Sequence, residues 1–512
     1  MRKNFLKKLL EISFYVVIFI IVFSSILQKS VVSLDELWNF NTARAIMHGL
    51  IPYKEISMIT TPFLPFISSI ILKIFGDELL VFRIIAALLM TTIFYLAYKL
   101  SSKLSNSKVV GVIASLFLAY LYRNEYAIDY NYFVLMLMMI IEILQIKKME
   151  SDEEKNIYDA IIGITLGIAI CTKQTIGIVI TATTILSELM LVQDKETFKK
   201  YIKQTATKII GIISVCAIFV IYLLVTNSFT DFIDYAILGI KSFTNKVSYF
   251  KLFNLKNKEI VALAKVMPVV LPLTMLMIFY GKISQLADQD KNYPFMKYMV
   301  VFISSLGMLI TLYPIADEIH FMISIMLILI IYTSFTLGLI NENVELDKSN
   351  ISKFFLYTMY AYMILFLTYK LGVITYKKID TYINEEKTET LAHIKYIPMT
   401  QEKIEYYEKL INYIEDARNS GYTVHILDAD AVAVSILTDN YSKNYDMLLK
   451  GNIGVNGEKQ IIEDIQNRTN TIYLLKNNES QLNWQSVTDV INYAKENLNK
   501  IDEIENYDVY TR

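Results

Sequence analysis

Two adjacent carboxylates, Asp35 and Glu36, stand in the stretch Val32-Ser33-Leu34-Asp35-Glu36-Leu37-Trp38-Asn39, just past the first long apolar run. Carboxylates near a bilayer boundary are costly when buried, about 2.5–3.5 kcal/mol at a helix centre on insertion scales, so they usually sit in water or in a functional cavity. A carboxylate so placed can act as a general base on a proton about 2.6–3.2 Å away. A solvated loop end is the plainer alternative. A second point with chemical potential is Lys173-Gln174, which interrupts an otherwise apolar stretch. A lysine at that depth either meets an anion such as a lipid phosphate or snorkels to the interface.

The elements that must position these residues follow from composition. Apolar residues make up 54% of 512 and charged residues only 19%, with a mean hydropathy of +0.40, which identifies a polytopic membrane protein. The formal charge is -1 and no Lys/Arg block stands out, so nucleic acid is not an expected partner. Cys171 and Cys216 both lie inside apolar runs; they form no disulfide framework or zinc-ligand spacing and read as small core residues. The positively charged start MRKNFLKK precedes about 20 apolar residues, enough to cross a bilayer from inside to outside. Ile26-Leu27-Gln28-Lys29 lacks a small-residue cleavage pattern, so this span is expected to stay uncleaved.

Residues 29–78 then form a long first external loop that holds the acidic pair. Further apolar runs near 79–99, 109–122, 131–146, 157–172, 175–192, 207–226, 261–280, 298–313, 319–340 and 354–376 bring the expected total to eleven spans. Most short-loop lysines, among them Lys147, Lys148, Lys203 and Lys208, fall on the inside by this count. The external segment 227–260, amphipathic and interfacial in character, carries five lysines and argues the other way. An odd count places 377–512 outside. This tail is polar, with a helical pattern over 401–419, apolar runs at 422–427, 471–475 and 507–510 and a helix near 486–500, the signature of a small α/β domain. Gly451-Asn452-Ile453-Gly454-Val455-Asn456-Gly457 fits neither the dinucleotide nor the P-loop fingerprint and reads as a turn. The domains expected are therefore 1–376 in the membrane and 377–512 outside it.

After the acidic pair come, in order, Ala43-Arg44-Ala45-Ile46-Met47-His48-Gly49, Ile51-Pro52-Tyr53-Lys54-Glu55, Thr61-Pro62-Phe63-Leu64-Pro65, Phe75-Gly76 and Phe82-Arg83. This order resembles the GT-C superfamily of polyprenyl-phosphate-sugar-dependent glycosyltransferases, in the branch of protein O-mannosyltransferases and aminoarabinose transferases. The match is strongest from Asp35 to Arg83, weaker up to about residue 180 and near 313–320. Thr60-Thr61-Pro62-Phe63 departs from the family, which often has a second proline there and in some members a lysine.

The resemblance implies a membrane all-α GT-C-type bundle of about eleven transmembrane helices with a small C-terminal extracytoplasmic α/β domain. It implies an inverting transfer of a hexosyl or pentosyl group from a polyprenyl-phosphate donor to an unidentified acceptor (glycan, lipid or protein) on the outer face of the cell membrane. Asp35 matches the family's base, with Glu36 orienting hydroxyls. Asp129 is the expected second acid, with Glu125 next to it in preference and Arg123 in the same loop. Lys173 and Gln174, together with Tyr53, Asp317 and His320, are the expected donor contacts. Asp317, Glu318 and His320 are too weak a constellation to imply a metal, and neither metal nor cofactor is expected. The bilayer itself is the remaining partner. A transporter or flippase of lipid-linked glycans would share the spans without needing the acidic pair, and no paired gapped helices of the inverted-repeat kind are visible; a non-catalytic membrane scaffold is the other alternative.

Overall fold

A computed structural model describes the chain except residues 1, 32–33, 125–127, 152–155, 243–245, 288–294, 348, 429–431, 447 and 477–486. The first half runs α1 (Arg2–Leu27), α2 (Leu34–Met47), α3 (Phe63–Phe75), α4 (Leu79–Leu104), α5 (Lys108–Leu121), α6 (Tyr130–Met149), α7 (Asn156–Thr172), α8 (Gln174–Glu188) and α9 (Lys195–Val225). After α10 (Phe229–Phe232) and a π-helical turn at Ile233–Leu238 come α11 (Lys258–Ala287), α12 (Phe295–Ser305), α13 (Glu318–Asp347) and α14 (Asn350–Asn384). The tail holds α15 (Gln401–Asn419), β1 (Thr423–Ile426), α16 (Val432–Leu437), α17 (Gly457–Asn467), β2 (Thr471–Lys476), α18 (Thr488–Asn497), β3 (Asn499–Ile504) and β4 (Tyr507–Thr511).

Among the described residues, eight helical segments are long and apolar enough to cross a membrane: 8–27, 79–104, 174–191, 195–225, 258–282, 295–312, 318–345 and 350–384. The three other apolar runs of the sequence fall on α5 and α7, of 14 and 17 residues, and on the 20-residue α6, which buries Glu142. The segment 29–78 contains two helices, α2 and α3, rather than irregular loop.

The chain divides into two compact units. The first comprises Met1–Ile26, Ala86–Ala217 and Lys246–Lys378. Here α8 packs against α7 and α12, and α6 against α7. A single extended residue, Lys173 (φ -148°, ψ 102°), separates α7 from α8. A corner that tight brings backbone onto backbone: a Cβ at Gly177 would stand 2.5 Å from Ile170 Cα, so glycine is the residue that fits. At the other end of α6, Lys148 and Lys208 each bridge Asp159 and Glu188, at 2.5–2.9 Å. These two lysines lie in helices, not in loops, and are neutralised by Asp159 and Glu188, with Lys208 buried and Lys148 partly so, which removes them from the inside-positive tally.

The second unit comprises Leu27–Ile85, Ile218–Asn245 and Ile379–Arg512. Its sheet has the order β1-β2-β4-β3, with β1 parallel to β2 and the other pairs antiparallel. The sheet is covered by a core including Leu427, Ile461, Ile465, Tyr473, Leu475, Val490 and Ala494. A further core joins Ala45, Tyr53, Ile56 and Met58 to Leu223, Tyr235 and Ala236. The 451–457 stretch is a turn with a docking role. Val455 N–H donates to Asp234 Oδ1 at 2.7 Å, and a Cβ at Gly454 (φ +75°) would stand 2.7 Å from Asp234 Oδ2. Tyr235 from the π-helical turn donates to Asn444 Oδ1 at 2.6 Å, so the tail and 233–238 are held together by hydrogen bonds as well as apolar contact.

Candidate active site

In the second unit, the acidic pair forms the first turn of α2, where carboxylates are favoured by the helix dipole. Glu36 is 3% exposed and binds the fully buried Arg83 in a two-pronged pair, Oε1 to Nε at 3.0 Å and Oε2 to Nη2 at 2.9 Å. Arg83 donates further to the carbonyls of Lys29 and Ser30. One guanidinium therefore closes the chain entry into α2 onto the start of α4, and two separate pieces of the sequence motif meet in space. This corrects the role expected for Glu36: both its oxygens serve this clamp, which gives it a positioning role. Asp35, its neighbour, is half-buried. Tyr53 is fully buried at φ 68° and donates its hydroxyl to Thr60 O at 2.7 Å. Its ring meets Phe232 edge-on, so its role in this unit is packing rather than ligand contact.

The same unit holds a second clamp that sequence reasoning missed. Arg44, fully buried, pairs with Asp77 through Nε and Nη2 at 2.7 and 3.0 Å and with Asp439 at 2.6 Å. His393 Nδ1 lies 3.2 Å from Asp77 Oδ2, and its Nε2 lies 3.7 Å from Asp439 Oδ1. Burial would lower the His393 pKa, but the two carboxylates outweigh it and raise it to about 9. Burial works against the Asp77 carboxylate too, yet His393 and Arg44 hold its pKa down at about 2.

In the first unit the expected donor-contact residues converge at the N-termini of α6, α8 and α13. Asp129 is the buried N-cap of α6 and accepts from Asn131 N–H. Lys173 donates from Nζ to Asn131 Oδ1 at 2.8 Å and lies 4.4 Å from the centre of the Tyr130 ring. Burial raises the Asp129 carboxyl pKa, while Lys173 and His320 act on it in the opposite sense. His320 is bound by Asp317, whose Oδ1 accepts from its backbone N–H at 2.9 Å and meets its ring Nδ1 at 2.7 Å. Gln174, the first residue of α8, is buried. Arg123 is engaged by Glu259 at 2.8 Å and stacks over Tyr120, which directs it to α11 instead of to an incoming ligand. Glu125 lies outside the described residues. Sequence reasoning did not single out Asn131; the polar character of Asp129-Tyr130-Asn131 at the head of an apolar run is the available signal.

Comparison with known proteins adds to this geometry. A family model described as dolichyl-phosphate-mannose-protein mannosyltransferase matches residues 60–222. Among curated proteins no sequence matches. Among solved structures, ArnT from Cupriavidus metallidurans in the apo state is similar over 98% of this chain and 97% of that one, with 9% identity and a TM-score of 0.59. The same protein bound to undecaprenyl phosphate is similar over the same shares, with 10% identity and a TM-score of 0.55. The archaeal oligosaccharyltransferase AglB from Archaeoglobus fulgidus, in complex with an inhibitory peptide and a dolichol-phosphate, is similar over 96% of this chain and 72% of that one, with 13% identity and a TM-score of 0.55. The chain is thus a multi-pass membrane protein with the GT-C fold.

Proposed function

We propose that this protein is a glycosyltransferase that moves a sugar from a polyprenyl-phosphate donor to an acceptor hydroxyl on the outer face of the membrane, inverting the anomeric carbon. The observation that carries this reading is the Glu36–Arg83 clamp, which fixes Asp35 in the first turn of α2. Asp35 takes the acceptor proton as the acceptor oxygen bonds to the anomeric carbon and the bond from that carbon to the phosphate oxygen breaks. A positioned base of this kind contributes typically ~10²–10⁴-fold. The leaving group carries the phosphate charge, and the cationic end of Lys173, with His320 oriented by Asp317, is the set of groups suited to receive it. Asp129, held among them, keeps Lys173 and His320 in place. The similarity to proteins solved with undecaprenyl phosphate and dolichol-phosphate supports the donor class.

The test is glycosyl transfer in membranes carrying the wild-type chain or Asp35→Asn at equal abundance, with labelled polyprenyl-phosphate sugars. Loss of transfer by a factor of about 10² or more, with undecaprenyl phosphate still bound, is the expected outcome. Equal transfer by both proteins removes Asp35 from the chemistry.

A further inference from the structure

Asn131 has a side chain whose two ends are in different situations. The residue is 1% exposed, in the first turn of α6. Its Oδ1 accepts from Lys173 Nζ at 2.8 Å. A lysine ammonium has donors only, so this contact fixes which way the amide points: oxygen to the lysine, NH₂ away from it. That buried NH₂ has no hydrogen-bond partner among the described residues. Its backbone N–H is already spent on Asp129 Oδ1, so the residue's orphan group is the side-chain donor alone. A buried polar group left unpaired is costly, and each such case calls for an explanation.

The surroundings narrow what would satisfy it. The two polar atoms of an amide are held on one carbon, so the NH₂ points away from the ammonium but stays in the same neighbourhood as the lysine that its own oxygen grips. The Tyr130 ring faces the ammonium, with its centre 4.4 Å from Nζ. A single-atom acceptor could serve the NH₂ alone, whereas an anion with several oxygens is the kind of ligand that can take the NH₂ with one oxygen and the ammonium with another. We propose that Asn131 is a second contact for the donor phosphate: its carbonyl fixes Lys173, and its NH₂ donates to the same phosphate group. This rests on the reading of Lys173 as a phosphate contact.

The test uses the full chain in lipid nanodiscs, with undecaprenyl phosphate and undecaprenol as paired probes. Asn131→Ala is expected to weaken undecaprenyl phosphate about tenfold, the scale of a hydrogen bond to a charged group, and to leave undecaprenol binding unchanged. Equal weakening of both probes would mark a merely structural effect and overturn the proposal. Asn131→Ala is then repeated on a Lys173→Gln background, where the hold on the lysine no longer matters. A further loss of threefold or more is expected if the amide touches phosphate itself; no further loss assigns Asn131 to the lysine alone and overturns the contact. If Lys173→Gln binds too weakly to measure, Asn131→Asp in the chain that keeps Lys173 takes its place, since it leaves an oxygen on the lysine and removes the NH₂: a loss of threefold or more is expected, and wild-type affinity overturns the contact. Wild-type affinity in Lys173→Gln would overturn the lysine's role and this proposal together, while leaving the Asp35 transfer test standing. No binding of undecaprenyl phosphate by the wild type would overturn the donor class itself.

Discussion

The Arg44–Asp77–His393–Asp439 clamp makes the stability of the second unit depend on alkaline pH. With His393 protonated the four groups balance, two cations against two carboxylates, and Arg44 is fully buried. The His393 pKa is raised from 6.5 to about 9 by Asp439 and Asp77, against the effect of burial. A raised pKa contributes stability that is fully present below the unfolded value near 6.5 and is lost as pH climbs through about 9. The shift corresponds to about 3 kcal/mol by linkage, and to nearer 2 once the exposed Asp439 carboxylate is discounted for solvent screening. The perturbation is His393→Gln, which is neutral throughout this range. Apparent melting temperatures of both proteins in detergent, from pH 6 to pH 10, supply the readout. The variant is expected to melt a few degrees lower at pH 6.5, and the two curves should converge above pH 9. Subtracting one curve from the other cancels the groups that titrate alike in both. Two curves separated by the same interval at every pH would refute the reasoning, because the histidine's charge would then contribute nothing.

Two further outcomes follow from the geometry of the site. Glu36→Met leaves the buried Arg83 without its carboxylate and should cost about 3–5 kcal/mol, whereas Glu36→Met with Arg83→Met should recover most of that loss; additive losses in a thermal-denaturation cycle would deny the pair. Gly177→Ala forces a Cβ to within 2.5 Å of Ile170 Cα, so the α7–α8 corner must open and carry Lys173 with it. Undecaprenyl phosphate binding should fall at least tenfold in that variant, and wild-type affinity would show that the corner does not position the lysine.

Much of this architecture was legible in the amino-acid order, and the exceptions have physical causes. The apolar runs found their helices because a span must satisfy its own backbone in lipid and so announces itself over some twenty residues. The tail's strands β1, β2 and β4 announced themselves by buried apolar side chains, whereas β3 escaped notice: Asn499–Ile504 is a polar, exposed edge strand whose sequence carries no alternation to read. Helix α2 was hidden inside an expected loop because Leu34–Met47 mixes acids and asparagines with its apolar residues, whereas α3 is apolar but at 13 residues too short to read as a span. Charge partners were the least visible. Arg123 and Glu259 are 136 positions apart, and Lys208 and Asp159 are 49 apart; nothing local distinguishes a lysine that marks a cytoplasmic loop from one buried against two carboxylates.

The acidic pair itself shows why adjacency matters more than the presence of two acids. On a helix, successive side chains do not face the same way; residues one apart are turned by about 100° around the axis. Once Glu36 is committed inward to a fully buried arginine, Asp35 must be turned off that face, and it is the half-buried member. The two carboxylates are thereby given different work by helix geometry alone: one anchors the turn, and the other is presented by it. Two acids spaced three or four apart would share a face and could not be separated in this way. Adjacency at the head of α2 is what lets Glu36 take the inward anchoring place while Asp35 is turned to a different face of the same helical turn.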